Sequence, residues 1–282
     1  MKNIFTVDVE DWYHILEVES TPDVQNWQNM ETRVEQNFNA LLDMFDENGV
    51  KVTCFILAWV AERFPHIIKE AHARGHEVAS HGYSHQLVYT QSAESFYNDI
   101  KKAKDILEDL TGEPVDSYRC PGFSITEETP WGFEKIVEAG YKYDSSVFPA
   151  NRGHGGLSDS EIAPHIIETP AGNLFEYPIT IADLFGKRVC FFGGGYLRLF
   201  PYSLIRSMSK KVNRSGRPVI YYIHPREIDP HHPRLEMSKI RTFKSYVNLE
   251  TTMTKLERII HDFEVVPLKH WHKEYFEKVV TV

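Results

Sequence analysis

The sequence predicts an α/β fold built on a parallel sheet or a (β/α) barrel. Short apolar runs rich in β-branched residues alternate with stretches of helical periodicity along the 282 residues, and repeated strand-helix alternation marks that class. The polar clusters TVDVED, HGYSH, YRCPGF and YYIHPRE each sit at the end of one of these runs, and in such folds active sites gather at the carboxyl ends of the strands. A composition 42% hydrophobic and 25% charged, with no fixed-period repeat, low-complexity tract or Pro-rich linker, is that of a chain folded throughout.

Residues 3 to 9 (NIFTVDV) alternate and predict a buried strand that delivers Glu10 and Asp11 at its C-terminal end. Val34, Phe38, Leu41, Leu42 and Phe45 recur at helical spacing, and Asn48-Gly49 stops that helix. VTCFIL, 52 to 57, is a second strand. WVAERFPHIIKEAHARG reads as a helical region interrupted near Pro65 and ended at Gly75, after which HEVAS forms a short strand running into HGYSH. Phe96, Ile100, Ala103, Leu107 and Leu110 mark an amphipathic helix ending at Thr111-Gly112. Further strands are expected around 116 to 120, 141 to 144, 174 to 181 and 217 to 224, with helices near 129 to 140, 201 to 213 and 251 to 262. RGHGG (152 to 156) and FFGGGY (191 to 196) read as connections or site walls; FFGGGY lacks the strand-GxGxxG-helix setting of a dinucleotide loop.

A formal charge of -9, with only short basic clusters such as Lys101, Lys102 and Lys104 on a helix, excludes a nucleic-acid partner. No charged n-region precedes a long apolar stretch, so neither a signal peptide nor a membrane span is expected, and the compartment expected is cytoplasmic. Cys54, Cys120 and Cys190 are widely spaced and odd in number, which fits reduced thiols.

Asp8, Glu10 and Asp11 crowd into TVDVED, and like charges raise one another's pKa. A metal would relieve the crowding; a solvated strand end with Asp11 capping the turn would also tolerate it. On an extended strand Asp8 and Glu10 point to the same side. His81 and His85 with one of these carboxylates would furnish the two-imidazole, one-carboxylate set of a metal site with an open position, or else be hydrogen-bonded loop histidines. Arg119 in RCPGF could fix and keep ionised a carboxylate, or be a surface arginine; the Pro-Gly turn could aim a backbone N–H at an oxyanion. His224 ends a very apolar strand, a half-dry place suited to general acid work or to a packed histidine. Asp144 in YKYDSSVFP reads as a strand-end turn residue rather than a pocket residue.

In order, these four motifs resemble those of the polysaccharide deacetylase family, carbohydrate esterase family four, whose NodB-type domain is a distorted (β/α) barrel. GGGYLRLFPY (193 to 202), YYIHPREIDPHHPR (221 to 234) and FKSYVNLETTMTKLERIIHDF (243 to 263) resemble the C-terminal half of exosortase-associated exopolysaccharide deacetylases. The resemblance implies one catalytic domain over 1–282, with about 150–282 completing the barrel and the substrate walls. It implies a metal-dependent amide hydrolysis: His81, His85 and Glu10, with Asp11 as the alternative to Glu10, hold one divalent transition metal such as zinc. Asp8 would act as base, Arg119 would orient it, the Pro121-Gly122-Phe123 turn would face the oxyanion, and His224 would protonate the leaving amine.

Two departures from the family pattern stand out. The family's first motif has adjacent aspartates, whereas Asp8 here is followed by valine, which makes Glu10 the aligned ligand. The third motif has glycine where many members carry an aromatic residue, leaving the sugar wall more open or supplied by Phe123, Trp131 or Tyr196. The expected substrate is an N-acetylated sugar in a polysaccharide or its lipid-linked precursor, met in the cytoplasm or at the inner membrane surface, in association with polysaccharide synthesis machinery; the oligomeric state is left open. The alternatives are a hydrolase of another small amide, as in the allantoinase-like branch, and a silent carbohydrate-binding subunit.

Overall fold

The computed structural model describes residues 1–150, 155–184 and 186–276. Along the chain run β1 (Asn3–Val9), α1 (Val34–Glu47), β2 (Thr53–Ile56), α2 (Ala58–Arg63), α3 (Pro65–Ala73), β3 (Glu77–Ser80), α4 (Ala93–Thr111), β4 (Ser117–Tyr118), α5 (Trp131–Glu138) and β5 (Tyr143–Asp144). There follow β6 (His165–Thr169), β7 (Gly172–Glu176), β8 (Ile181–Leu184), β9 (Lys187–Cys190), α6 (Gly194–Leu199), α7 (Tyr202–Arg214), β10 (Ile220–Ile223), α8 (Lys239–Tyr246), α9 (Thr252–Asp262), β11 (Val265–Val266) and α10 (Leu268–Trp271).

The main sheet has the order β10-β1-β2-β3-β4-β5-β7-β6, with β11 paired to the start of β1. From β10 through β5 to β7 every pairing is parallel; β6 alone runs antiparallel, against β7. Parallel neighbours need crossover connections, and helices α1 to α5 supply them in turn. The far ends of the sheet approach through the segment that carries the β8–β9 hairpin. Ile179 N–H donates to the Val147 carbonyl at 2.9 Å, and Tyr222 N–H donates to the Phe192 carbonyl at 3.2 Å. The result is a distorted (β/α) barrel.

The two-residue period of β1 sorts its side chains. Phe5, Val7 and Val9 join the outer core with Phe38, Leu41, Leu42 and Phe45 of α1. Ile4 faces inward with Phe55, Ala79, Ile220 and Tyr222, where Leu268 and Trp271 of α10 fill the floor. Thr6, Asp8 and Glu10 share the parity of Ile4, so the same alternation that fills one end of the interior with apolar groups brings carboxylates to the other.

Most expected elements form within a few residues of their expected ends: Pro65 begins α3, and Gly112, with φ 71°, closes α4. The strand expected over 174 to 181 instead divides into β7 and β8, because Pro178 has no N–H to donate to a ladder. FFGGGY is more than a connection. Phe191 and Phe192 are buried, and α6 begins at Gly194. Gly193 passes so close to Tyr222 that a Cβ there would lie 2.0 Å from the ring. Residues 152–154 of RGHGG lie outside the described residues. Among the described residues no helix is long and apolar enough to cross a membrane.

Candidate functional site

The C-terminal ends of β1, β3, β4 and β10 converge on one cavity of about 450 Å³ whose lining includes Asp8, Glu10, His81, His85, Gly122, Phe123 and His224. Asp8 is buried and paired with Arg119, whose Nη1 lies 2.6 Å from Asp8 Oδ1. Arg119 is fully buried and its other donors are also used: Nη1 reaches Thr6 Oγ1 at 2.8 Å, Nη2 reaches Ser145 Oγ at 2.9 Å, and Nε reaches the Ser145 carbonyl at 3.2 Å. A guanidinium this fully bonded holds one carboxylate oxygen in a fixed place.

Glu10 turns back toward the same cavity just past β1, its N–H donating to the Asp8 carbonyl at 3.0 Å. Its Oε2 lies 2.6 Å from His85 Nε2 but, among the described residues, takes no properly directed hydrogen bond. Burial raises its pKa; the imidazoles of His85, His224 and His81 more than reverse this and hold the carboxyl well below its ordinary 4.5. One ligand atom from each of Glu10, His81 and His85 lies within 4.8 Å of the others, and all three residues are buried.

The HGYSH segment folds around Asp99 of α4, which accepts from the N–H groups of Tyr83 at 2.8 Å and Ser84 at 3.0 Å. Gly82 has φ 76°, and a Cβ there would come 3.0 Å from Asp99 Oδ2, so glycine is required for the loop to close on this carboxylate. His81 Nδ1 lies 2.8 Å from the Arg119 carbonyl. Since a carbonyl can only accept, Nδ1 carries the proton and the Nε2 lone pair is left for the cavity. Burial pushes the His81 pKa down to about 4, which favours the neutral, ligating form. An orphaned carboxylate oxygen, a neutral imidazole with its lone pair directed by a backbone carbonyl, and a second imidazole in reach fit a divalent transition metal.

His224 follows β10. Its Nε2 is 3.8 Å from Asp8 Oδ2 and 3.7 Å from Glu10 Oε1, while its Nδ1 is 3.6 Å from Glu227 Oε2. Burial lowers the His224 pKa, but Glu227, Glu10 and Asp8 outweigh it and the net shift is upward. Glu227 is itself ionised: burial raises its pKa, yet Arg198, 3.3 Å away, and His224 bring it down to about 2.

Several sequence expectations need correction. Asp11 is not placed to share the ligand role, because its carboxylate caps local backbone: Oδ1 accepts from Trp12 N–H, and Oδ2 accepts from Thr32 Oγ1 and from the N–H groups of Arg33 and Val34 at the start of α1. Mutual repulsion does not lift Glu10, since imidazoles rather than carboxylates dominate its surroundings. Pro121 is not part of the cavity lining and has no N–H, while Phe123 N–H already donates to the Cys120 carbonyl at 3.3 Å. Gly122 and Phe123 are the members of the turn on the wall. Tyr196 and Phe123 line the cavity; Trp131 instead packs on Phe96, ring centroids 5.8 Å apart. Asp144 is fully buried, its Oδ1 accepting from Ser146 Oγ at 2.6 Å, and lies off the cavity.

Thr6, Ser145, Arg198 and Glu227 support the site but are absent from the sequence reading. Glu227 had a legible signal, an acid three residues after His224 at the start of a helical turn. Arg198 and Ser145 had none, because their partners lie 29 and 26 residues away.

Known proteins resemble this chain in sequence and in fold. Residues 22–143 match the family described as polysaccharide deacetylase, and residues 145–273 match a domain of unknown function, DUF3473. A peptidoglycan-N-acetylglucosamine deacetylase of Bacillus cereus is 33% identical over 96 residues, covering 34% of this chain and 35% of that protein. The chain spans about a third to a half of the length of the curated relatives it matches. A Mycobacterium smegmatis structure assigned to the polysaccharide deacetylases superposes with TM-score 0.62 at 18% identity, over 99% of this chain and 92% of that one. PuuE allantoinase superposes with TM-score 0.61 at 17% identity, over 96% and 90%. At these identities the structural likeness speaks for the fold. Family match and barrel agree: over residues 22–143 the chain belongs to the polysaccharide deacetylase family, and its fold is that of a structure assigned to the same family.

Proposed function

We propose that this chain is a metal-dependent hydrolase that removes N-acetyl groups from sugar residues of a polysaccharide or of its lipid-linked precursor. The observation that carries the reading is the placement of an arginine-paired carboxylate, Asp8, and His224 against the Glu10, His81, His85 group in one cavity. A relative named for deacetylation of peptidoglycan N-acetylglucosamine supports the bond and the substrate class.

Glu10, His81 and His85 would hold a divalent ion such as zinc, which would supply Lewis acidity toward an acyl carbonyl and water. Asp8, with one oxygen fixed by Arg119, offers the other as base toward water. The Gly122 turn faces the oxyanion side of the cavity. His224 donates a proton to the departing amine, and Glu227 keeps its imidazolium favourable. Cys120 lies beside the same turn but is no nucleophile: burial, with Asp144 adding, pushes its thiol up to about 11.

We extend the reading to exopolysaccharide biosynthesis, with both halves of the chain acting as one catalytic unit on the cytoplasmic side of the inner membrane, beside the synthesis machinery. The free, buried Cys54, Cys120 and Cys190 support a reducing compartment.

The test pairs elemental mass spectrometry with an acetate-release assay on N-acetylated oligosaccharides and, as the competing substrate, allantoin. Stoichiometric metal lost in His81→Ala and His85→Ala, together with acetate release from the oligosaccharides, is expected. A metal-free protein after reconstitution with zinc, cobalt, nickel or iron, or turnover of allantoin alone, overturns the reading.

A further inference from the structure

His14 lies on the wall of the same cavity and has no part in the chemistry described so far. Its ring is 1% exposed, wedged against Trp27 with centroids 4.2 Å apart and 5.9 Å from the ring of His85. The Asp11 N–H donates to His14 Nδ1 at 2.9 Å. A ring nitrogen that accepts from an N–H carries no proton of its own, so the ring is neutral and its single proton is on Nε2. That Nε2–H is buried and, among the described residues, has no acceptor.

Leaving such a donor unpaired is unfavourable, and no neighbouring side chain among the described residues relieves it. The tautomer also decides what can relieve it. With its lone pair committed to a proton, Nε2 cannot join Glu10, His81 and His85 as a fourth cation ligand; it can only donate.

We propose that His14 forms a donor subsite of the cavity, giving a hydrogen bond to an oxygen acceptor of the bound glycan, either a ring hydroxyl or the amide carbonyl. The glycan rests on the deacetylase reading; the tautomer and the exclusion from metal ligation do not.

The test is the imidazole proton and nitrogen NMR spectrum of the full chain loaded with zinc, without and with N,N′-diacetylchitobiose or its deacetylated counterpart chitobiose. Without saccharide, His14 is expected to be neutral, protonated on Nε2 and unperturbed by zinc. Its Nε2 proton then shifts downfield with both sugars if a hydroxyl is the acceptor, or with the acetylated one alone if the carbonyl is. A ring protonated on Nδ1, zinc bound to Nε2, or no response to either sugar up to its solubility limit overturns the proposal.

A His14→Phe variant keeps the packing on Trp27 and the metal content; its kcat/KM is expected to fall about tenfold, matching one lost hydrogen bond, through KM if a hydroxyl is the acceptor and through kcat if the carbonyl is. His14→Gln, which offers both an acceptor for the Asp11 N–H and a donor for the cavity, is expected to recover part of the loss. An unchanged kcat/KM in the folded Phe variant counts against the subsite. Metal content and acetate release scored on the same samples show separately whether the deacetylase reading itself has failed.

Discussion

Two buried carboxylate clusters sit at strand ends of this barrel, and they behave oppositely. At the end of β1, Asp8 faces Arg119 and Glu10 faces three imidazoles, so Glu10 stays ionised despite its burial. At the ends of β5 and β7, Asp144 and Glu176 are equally buried, but their partners among the described residues are Ser146 and the Val147 N–H, neither of them a cation. Burial, followed by the proximity of Asp144, pushes Glu176 well above its ordinary value, and burial raises Asp144 as well. Burial disfavours charge in both places; only the cluster supplied with positive partners keeps it. The charged cluster opens on the cavity, while the one whose pKa values burial raises lies off it.

The sharpest way to break this contrast is to take the cation from the charged cluster. Arg119→Met leaves Asp8 buried and unpaired and is expected to lower stability by about 3–5 kcal/mol, read as a fall in the urea midpoint with unchanged slope. A loss under about 1 kcal/mol would show that Asp8 is solvated or protonated in the native chain.

The second cluster is probed through pH. The folded pKa of Glu176 lies above its ordinary 4.5, so the folded chain keeps a proton that the unfolded chain releases above that value. Its stabilisation is fully present at lower pH and is lost as pH rises through the folded pKa. Glu176→Gln cannot titrate but retains an oxygen for the Val147 N–H. It is therefore expected to gain stability relative to the parent as pH rises from 4 to 8, with the two converging toward the acid end. Parallel curves in urea titrations across that range would mean that Glu176 is ionised when folded.

The smallest effect separates the acids within one motif. Asp11→Ala removes the cap on the N–H groups of Arg33 and Val34 and is expected to cost about 1–2 kcal/mol, with metal content unchanged. If metal is lost while the fold holds, Asp11 has a ligand role that its hydrogen bonds do not reveal.

Much of this was legible in the chain. The alternation of β1 put Asp8 and Glu10 on one side, Pro65 and Gly112 marked helix ends, and the residues needed for a metal group could be named. What was not legible at the site was long-range. Arg119 read equally well as a surface arginine, because Thr6, Asp8 and Ser145 come from strands far along the sequence. Asp144 read as a turn residue because its buried companion, Glu176, lies on β7, a strand whose edge had been misplaced. The helices α6 and α8 escaped because one begins in consecutive glycines and the other, KIRTFKSY, carries little apolar periodicity.

The sequence by itself determined which groups arrive at the C-terminal ends of the strands, since a two-residue period and short crossovers permit little else. Only the tertiary structure decided which acids remain charged. Ionisation depends on whether a guanidinium or imidazole from another strand comes within a few ångströms in a medium without water, and one-dimensional order carries no record of that distance.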